Sequence, residues 1–93
     1  MKKKTSESLN GINVFDLTRV LAGPTSTQIL GDLGANIIKV ERPKTGDDSR
    51  NLGPPYLDNL AKNPQESSYF LSVNRNKKSV TIDLTKKEGQ ELA

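Results

Sequence analysis

An α/β fold with a parallel sheet is predicted by three observations. The run Val14-Phe15-Asp16-Leu17-Thr18-Arg19-Val20-Leu21-Ala22-Gly23-Pro24 is a short apolar strand that enters a turn, after which Gly-Pro opens a helix. Ten residues on, Gly34-Ala35-Asn36-Ile37-Ile38-Lys39-Val40-Glu41-Arg42-Pro43 reads as a second strand with an acid-Arg pair at its tip. Strand, helix and strand in that order, with charged groups at strand tips, is how α/β proteins present a nucleotide site.

Each element has a local reason. Ile12-Asn13-Val14-Phe15-Asp16-Leu17 supplies β-branched and apolar residues for a first strand, after a break at Gly11. Pro24 suits the first helical position, where its missing N–H would be unpaired anyway. Ile29, Leu30 and Leu33 predict the apolar face of that helix. Gly34 fits the left-handed residue that ends it. Asn36 to Glu41 reads as a strand buried on both faces, as parallel strands are. Pro43 to Ser67 has no period and is too long for an ordinary connection, so a functional lid or a disordered insert is expected.

Ser68 to Val73 predicts one or two helical turns, and Ser79-Val80-Thr81-Ile82-Asp83-Leu84 alternates as a third strand. Thr85 and Glu88 fit a capping box that starts a last helix over Lys86 to Ala93. Three parallel strands need helices on both faces, yet one complete helix is encoded. Either a partner covers the sheet or the chain is a fragment.

Composition narrows the function classes. Hydrophobic residues make up 32% of the 93-residue chain, and adding the glycines leaves it below the roughly 45–50% of a typical domain. A chain of this length buries only about 60–65% of its unfolded surface, so its core is thin. The net charge of +3 equals the contribution of Lys2-Lys3-Lys4, which leaves a neutral body. That run reads as a solvated tail; nucleic-acid binding rests on it alone. The four aromatics, Phe15, Tyr56, Tyr69 and Phe70, form no basic-aromatic stripe for stacking single strands.

Without Cys or His, the chain has no disulfide, thiolate zinc site or imidazole-based nucleophilic catalysis of its own. No stretch approaches the roughly 18–20 apolar residues of a membrane span, and no secretory signal core is present. A cytoplasmic protein with no membrane partner is the expectation.

Few residues carry chemistry. At the second strand tip, Glu41 suits ribose hydroxyls and Arg42 suits a phosphate through its planar donor fork; the alternative is an ordinary surface pair. No Gly-rich phosphate loop follows the first strand, which argues against a dinucleotide oxidoreductase. Asn74-Arg75-Asn76-Lys77-Lys78-Ser79 reads as a solvated turn, and Gly46-Asp47-Asp48-Ser49-Arg50 as a turn with a local Asp-Arg contact. Asp16 and Asp83 are candidate general bases, although strand-tip Asp residues more often bond neighbouring loops. No nucleophile-base pair can be assembled and no metal set is present.

From Gly11 to Leu92 the chain resembles the CoA-transferase family III enzymes, the formyl-CoA transferase and carnitine CoA-transferase group. The segments that carry the likeness match in order and spacing. They include Asp16 to Pro24, Asp32 to Ala35, Ile38 to Pro43, Gly46 to Arg50, Gly53-Pro54-Pro55, Tyr69 to Ser79, Asp83-Leu84 and Glu88-Gly89. The Gly-Asp-Asp loop together with the Ser72 to Ser79 run is most similar to the dicarboxylate-CoA branch, which includes succinate-hydroxymethylglutarate CoA-transferases.

The resemblance implies the N-terminal part of a Rossmann-like parallel-sheet domain, truncated, from a subunit that interlocks with a second copy. It implies coenzyme A, as an acyl-CoA thioester, bound at the strand tips, with an Asp nucleophile forming an anhydride and then a thioester. By position, Leu21 and Ala22 lie along the CoA, Arg42 faces its adenine or 3′-phosphate end, and Ile82, Asp83, Leu84 and Thr85 meet it through the backbone. The family's catalytic Asp falls beyond Ala93, so the chain has no catalytic residue of its own.

The resulting expectation is a basic tail over residues 1–10 and an incomplete CoA-binding lobe over 11–93, inactive alone. Its source is a degraded or interrupted reading frame, or an incomplete sequence. A stand-alone CoA- or nucleotide-binding module, or a split subunit completed by a separately encoded piece, stays open as the alternative. A mitochondrial location stays open beside the cytoplasmic one.

Overall fold

A computed structural model describes residues 8–55 and 66–93. The Lys2–Lys4 run and residues 56–65 of the long loop lie outside the described residues. Strand β1 (Asn13–Asp16) leads to helix α1 (Ala22–Asp32) and strand β2 (Asn36–Glu41). A 3₁₀ turn (Asp48–Asn51), helix α2 (Ser68–Ser72), strand β3 (Lys77–Thr81) and helix α3 (Lys87–Leu92) follow. The strands form one parallel sheet in the order β1-β2-β3.

The expected α/β order is present, with α1 as the crossover between two parallel neighbours. Its end is a full Schellman arrangement. Gly34 takes φ +109, its N–H donates to the Gly31 carbonyl, and the Ala35 N–H donates to the Leu30 carbonyl. A glycine makes that backbone conformation cheap. Residues 8–11 form a turn, tied down by the Leu9 N–H donating to the Leu33 carbonyl at 3.0 Å.

Register separates two chemistries on the two sheet faces. Pairing of Asp16 with Lys39 and of Lys39 with Ser79 puts these three on one face. Phe15, Ile38, Val40 and Val80 fall on the other. The polar face is the one that α1 covers. Apolar burial is correspondingly small: Ala35, Ile37 and Val40, with Phe70 of α2 and Val73 just after it. At about 1.5–3 kcal/mol for each large side chain, these residues alone make a modest core.

Four expectations are corrected. The helix face formed by Ile29, Leu30 and Leu33 does not point inward; Ile29 is 53% exposed and the buried positions are Pro24, Thr27, Gln28 and Gly31. The sheet beneath them is charged, so it needs hydroxyl, amide and carbonyl partners. Pro24 is the third helical residue, still within the first turn whose N–H groups need no helical partner.

The third strand begins at Lys77 and ends at Thr81, because its ladder runs from Ile37↔Lys77 to Glu41↔Thr81. The capping box does not form either. Asp83 accepts both the N–H and the hydroxyl of Thr85, so Thr85 is held in an Asp83 turn and α3 starts after Lys86. Among the described residues, no helix is long and apolar enough to cross a membrane.

Candidate functional site

Polar residues of the buried sheet face pair in three acid-base couples. Lys77 Nζ lies 3.3 Å from Asp16 Oδ2, and the side chains are 2% and 0% exposed. Lys39 Nζ lies 2.9 Å from Asp47 Oδ2. Arg50 grips Glu41 with two N–H donors, at 2.7 and 2.8 Å. Arg donates such a fork where Lys offers only a point charge. The Arg50 guanidinium also sits 3.8 Å over the Phe70 ring, which joins the charged layer to the apolar cluster.

These couples are linked into one network. Lys39 donates to the Thr18 carbonyl, and the Thr18 N–H and hydroxyl donate to Asp16. Thr27 of α1 donates to the other Asp16 oxygen at 2.7 Å. The Asp47 N–H donates to Glu41 Oε1, and the Ser79 hydroxyl donates to Glu41 Oε2. Among the described residues, no buried side-chain polar atom is left without a partner. That closure is what makes a charged interior tolerable.

Titration follows these contacts. Burial pushes the Glu41 carboxyl upward, but Arg50, Ser79 and the Asp47 N–H outweigh it and hold the group at about 2. Burial likewise raises Asp16 and Asp47, but hydrogen bonds from Thr18 and Thr27 to Asp16 and from Ser49 and Lys39 to Asp47, with the charges of Lys77 and Lys39, hold both below the ordinary carboxylate value. Burial lowers the Lys77 ammonium, against the attraction of Asp16.

Glu41 is therefore neither a ribose ligand nor a surface residue. Both readings of it are corrected, since its two oxygens are spent inside. The Gly46 to Arg50 loop differs from a local Asp-Arg turn as well. Asp47 reaches back to Lys39, Arg50 to Glu41, and Asp48 to Arg42. Gly46 sits at φ +67 where a Cβ would come within 2.6 Å of Glu41 Oε1.

A cavity of about 260 Å³ opens beside this network, at the C-terminal ends of the strands. Ligands of open α/β sheets bind outside those ends. Arg42, Ile82, Asp83, Leu84 and Thr85 line it together, as do Leu17, Arg19, Val40 and Pro43. Leu21 and Ala22 are not among its lining residues; both are exposed where α1 begins. Among the described residues, no group of three or more His, Cys, Asp or Glu is placed to hold a metal.

Sequence reasoning missed Lys39, Lys77, Arg50 and Arg19. For the first there was a signal: a strand read as buried on both faces carried a Lys and a Glu, and buried charges demand partners. Lys77 gave none, because in sequence it is one cation among several in a turn.

The family model of CoA-transferase family III matches residues 9–93. The succinyl-CoA:glutarate CoA-transferase of Mus musculus is 56% identical over 84 residues, which are 90% of this chain and 18% of that protein. The formyl-CoA:oxalate CoA-transferase of Afipia carboxidovorans is 42% identical over 89 residues, 94% of this chain and 19% of that one. The crystal structure of a CAIB/BAIF family protein from Brucella suis superposes with a TM-score of 0.81 at 47% identity, covering 91% of this chain and 22% of that one. The chain thus spans about a fifth of the length of these relatives. With nearly its whole length matched, it belongs to CoA-transferase family III.

Proposed function

We propose that this chain supplies the CoA-binding part of an acyl-CoA:carboxylate CoA-transferase of the dicarboxylate branch, receiving the CoA of a thioester in the strand-tip cavity. The observation that carries this reading is the convergence of Arg42 with Ile82, Asp83, Leu84 and Thr85 on one cavity. Aliphatic walls from Leu17, Val40, Pro43 and Ile82 suit a heterocycle, and Arg42 suits a phosphate. The relatives that act on succinyl-CoA and glutarate favour dicarboxylates as the acyl and acceptor groups.

The carboxylates of the buried network offer no free nucleophile. Asp16, Glu41 and Asp47 each have their oxygens committed to buried donors, so none is poised to attack a thioester. The chain alone binds CoA and does not transfer it. Isothermal titration of the chain with CoA tests this. Saturable binding weakened at least tenfold by Arg42→Gln is expected, with no transfer from succinyl-CoA to glutarate. Absence of CoA binding, or an unchanged affinity in the variant, overturns the reading.

A split subunit completed by a separate polypeptide is favoured by one observation. Phe15 is 47% exposed and Val80 37% exposed on the uncovered sheet face. Transfer activity restored by co-expressing the remainder of a family member would establish that arrangement.

A further inference from the structure

We infer that Arg19 is a second anion-binding residue of the strand-tip cavity, taking a phosphoryl group together with Arg42. This deepens the proposed function and rests on that cavity as the ligand site. Arg19 lines the cavity from the turn after β1, and Arg42 from the residue after β2. β1 and β2 are neighbouring strands, so the two guanidinium groups serve one mouth.

The charges of the lining single Arg19 out. Its acids already have partners: Glu41 holds Arg50, Asp47 holds Lys39, and Asp83 takes Thr85 with Lys86 nearby. Arg42 is paired with Asp48 at the surface. The Arg19 guanidinium has no hydrogen bond or ion pair among the described residues. A cavity in which two of the three lining carboxylates, Glu41 and Asp47, are ion-paired within the fold, and which keeps an uncommitted guanidinium, is complementary to an anion. The planar fork of Arg matches phosphoryl oxygens two at a time.

The turn that presents Arg19 is held, not slack. Val20 takes φ +72, an outlier for a β-branched residue. Its N–H donates to both Asp47 oxygens, at 3.1 and 3.2 Å, and Asp47 is anchored by buried Lys39. Backbone strain kept in place beside a cavity is characteristic of ligand-binding turns. Leu17 and Arg19 reach the cavity, while Thr18 between them turns inward to Asp16.

The test titrates the chain and its Arg19→Gln and Arg19→Lys variants separately with inorganic diphosphate, CoA and glutarate, with far-UV circular dichroism confirming the fold of each. Diphosphate binding that weakens at least tenfold in Arg19→Gln, and less in Arg19→Lys, is expected. Equal affinity of wild type and Arg19→Gln for diphosphate and CoA overturns the inference, while CoA binding that still depends on Arg42 leaves the proposed function standing. Arg19-dependent diphosphate binding without any CoA binding upholds the inference and removes the proposed function. Arg19-dependent binding of glutarate but not diphosphate overturns the phosphoryl assignment, as does binding of neither.

Discussion

The Lys39 ammonium lies 2.9 Å from the Asp47 carboxylate, and each side chain is 1% exposed. Lys39 comes from the central strand and Asp47 from the loop beyond it, so the pair fastens that loop to the sheet. Removing one partner leaves the other charge buried without compensation, which costs about 3–5 kcal/mol. Lys39→Met is expected to destabilise the chain by that amount in urea denaturation. The double variant Lys39→Met/Asp47→Asn should recover part of it, because no lone buried charge remains. A single-variant cost under about 1 kcal/mol would contradict the burial described.

Acid should unfold the protein through Glu41. Its folded value, about 2, lies below the ordinary 4.5. A depressed folded pKa means that the unfolded chain binds protons first. The stabilisation is therefore complete above about pH 4.5 and disappears as pH falls towards 2. With solvent screening allowed for, the loss attributable to Glu41 is on the order of 2 kcal/mol. Asp16 and Asp47, also depressed, fall in the same direction. Denaturation midpoints measured from pH 5 to 2 should decline, and Glu41→Gln should flatten that slope even though it lowers stability at neutral pH.

Helix α1 separates a periodicity reading from the structure. Thr27 is buried and donates to Asp16 at 2.7 Å, whereas Ile29 faces outward. Thr27→Val keeps the shape but withdraws a donor from a buried carboxylate, at about 1–3 kcal/mol. Ile29→Ser removes little buried area and should change stability by less than about 0.5 kcal/mol in the chain alone. Thermal melts of the two variants check the ranking. The opposite order would restore the apolar face as the inner one.

The same helix shows how far the sequence could be read. Its existence and its glycine end were legible, because local backbone chemistry decides them: Pro24 in the first turn, Gly34 in the left-handed position. β2 was legible to both ends, since Ile37, Ile38 and Val40 sit between Gly34 and Pro43. Which face of α1 turns inward was not legible. That depends on Asp16, Lys39 and Lys77 sharing one sheet face, a consequence of strand register. The cavity was legible in part, through Arg42 and Ile82 to Thr85. Arg19 was hidden because what sets it apart is the lack of a partner among the described residues, and sequence does not display partners.

Arg42 is the cavity cation with a competitor. Its guanidinium donates to the Asp48 carboxylate and to the Gly46 carbonyl, and the two side chains of the ion pair are 46% and 62% exposed. So exposed a pair contributes little to stability, and it stands where an incoming phosphate would have to take Asp48's place. Asp48→Asn removes the rival charge and one source of repulsion toward an anion. It is expected to tighten CoA binding about two- to fivefold at low salt, with the gain shrinking as ionic strength rises and screening shortens the reach of Asp48. Stability should stay within about 0.5 kcal/mol of wild type. Titration calorimetry at two salt concentrations separates this from a structural effect. A gain that persists unchanged at high salt would mean that Asp48 acts by shaping the loop and not by its charge.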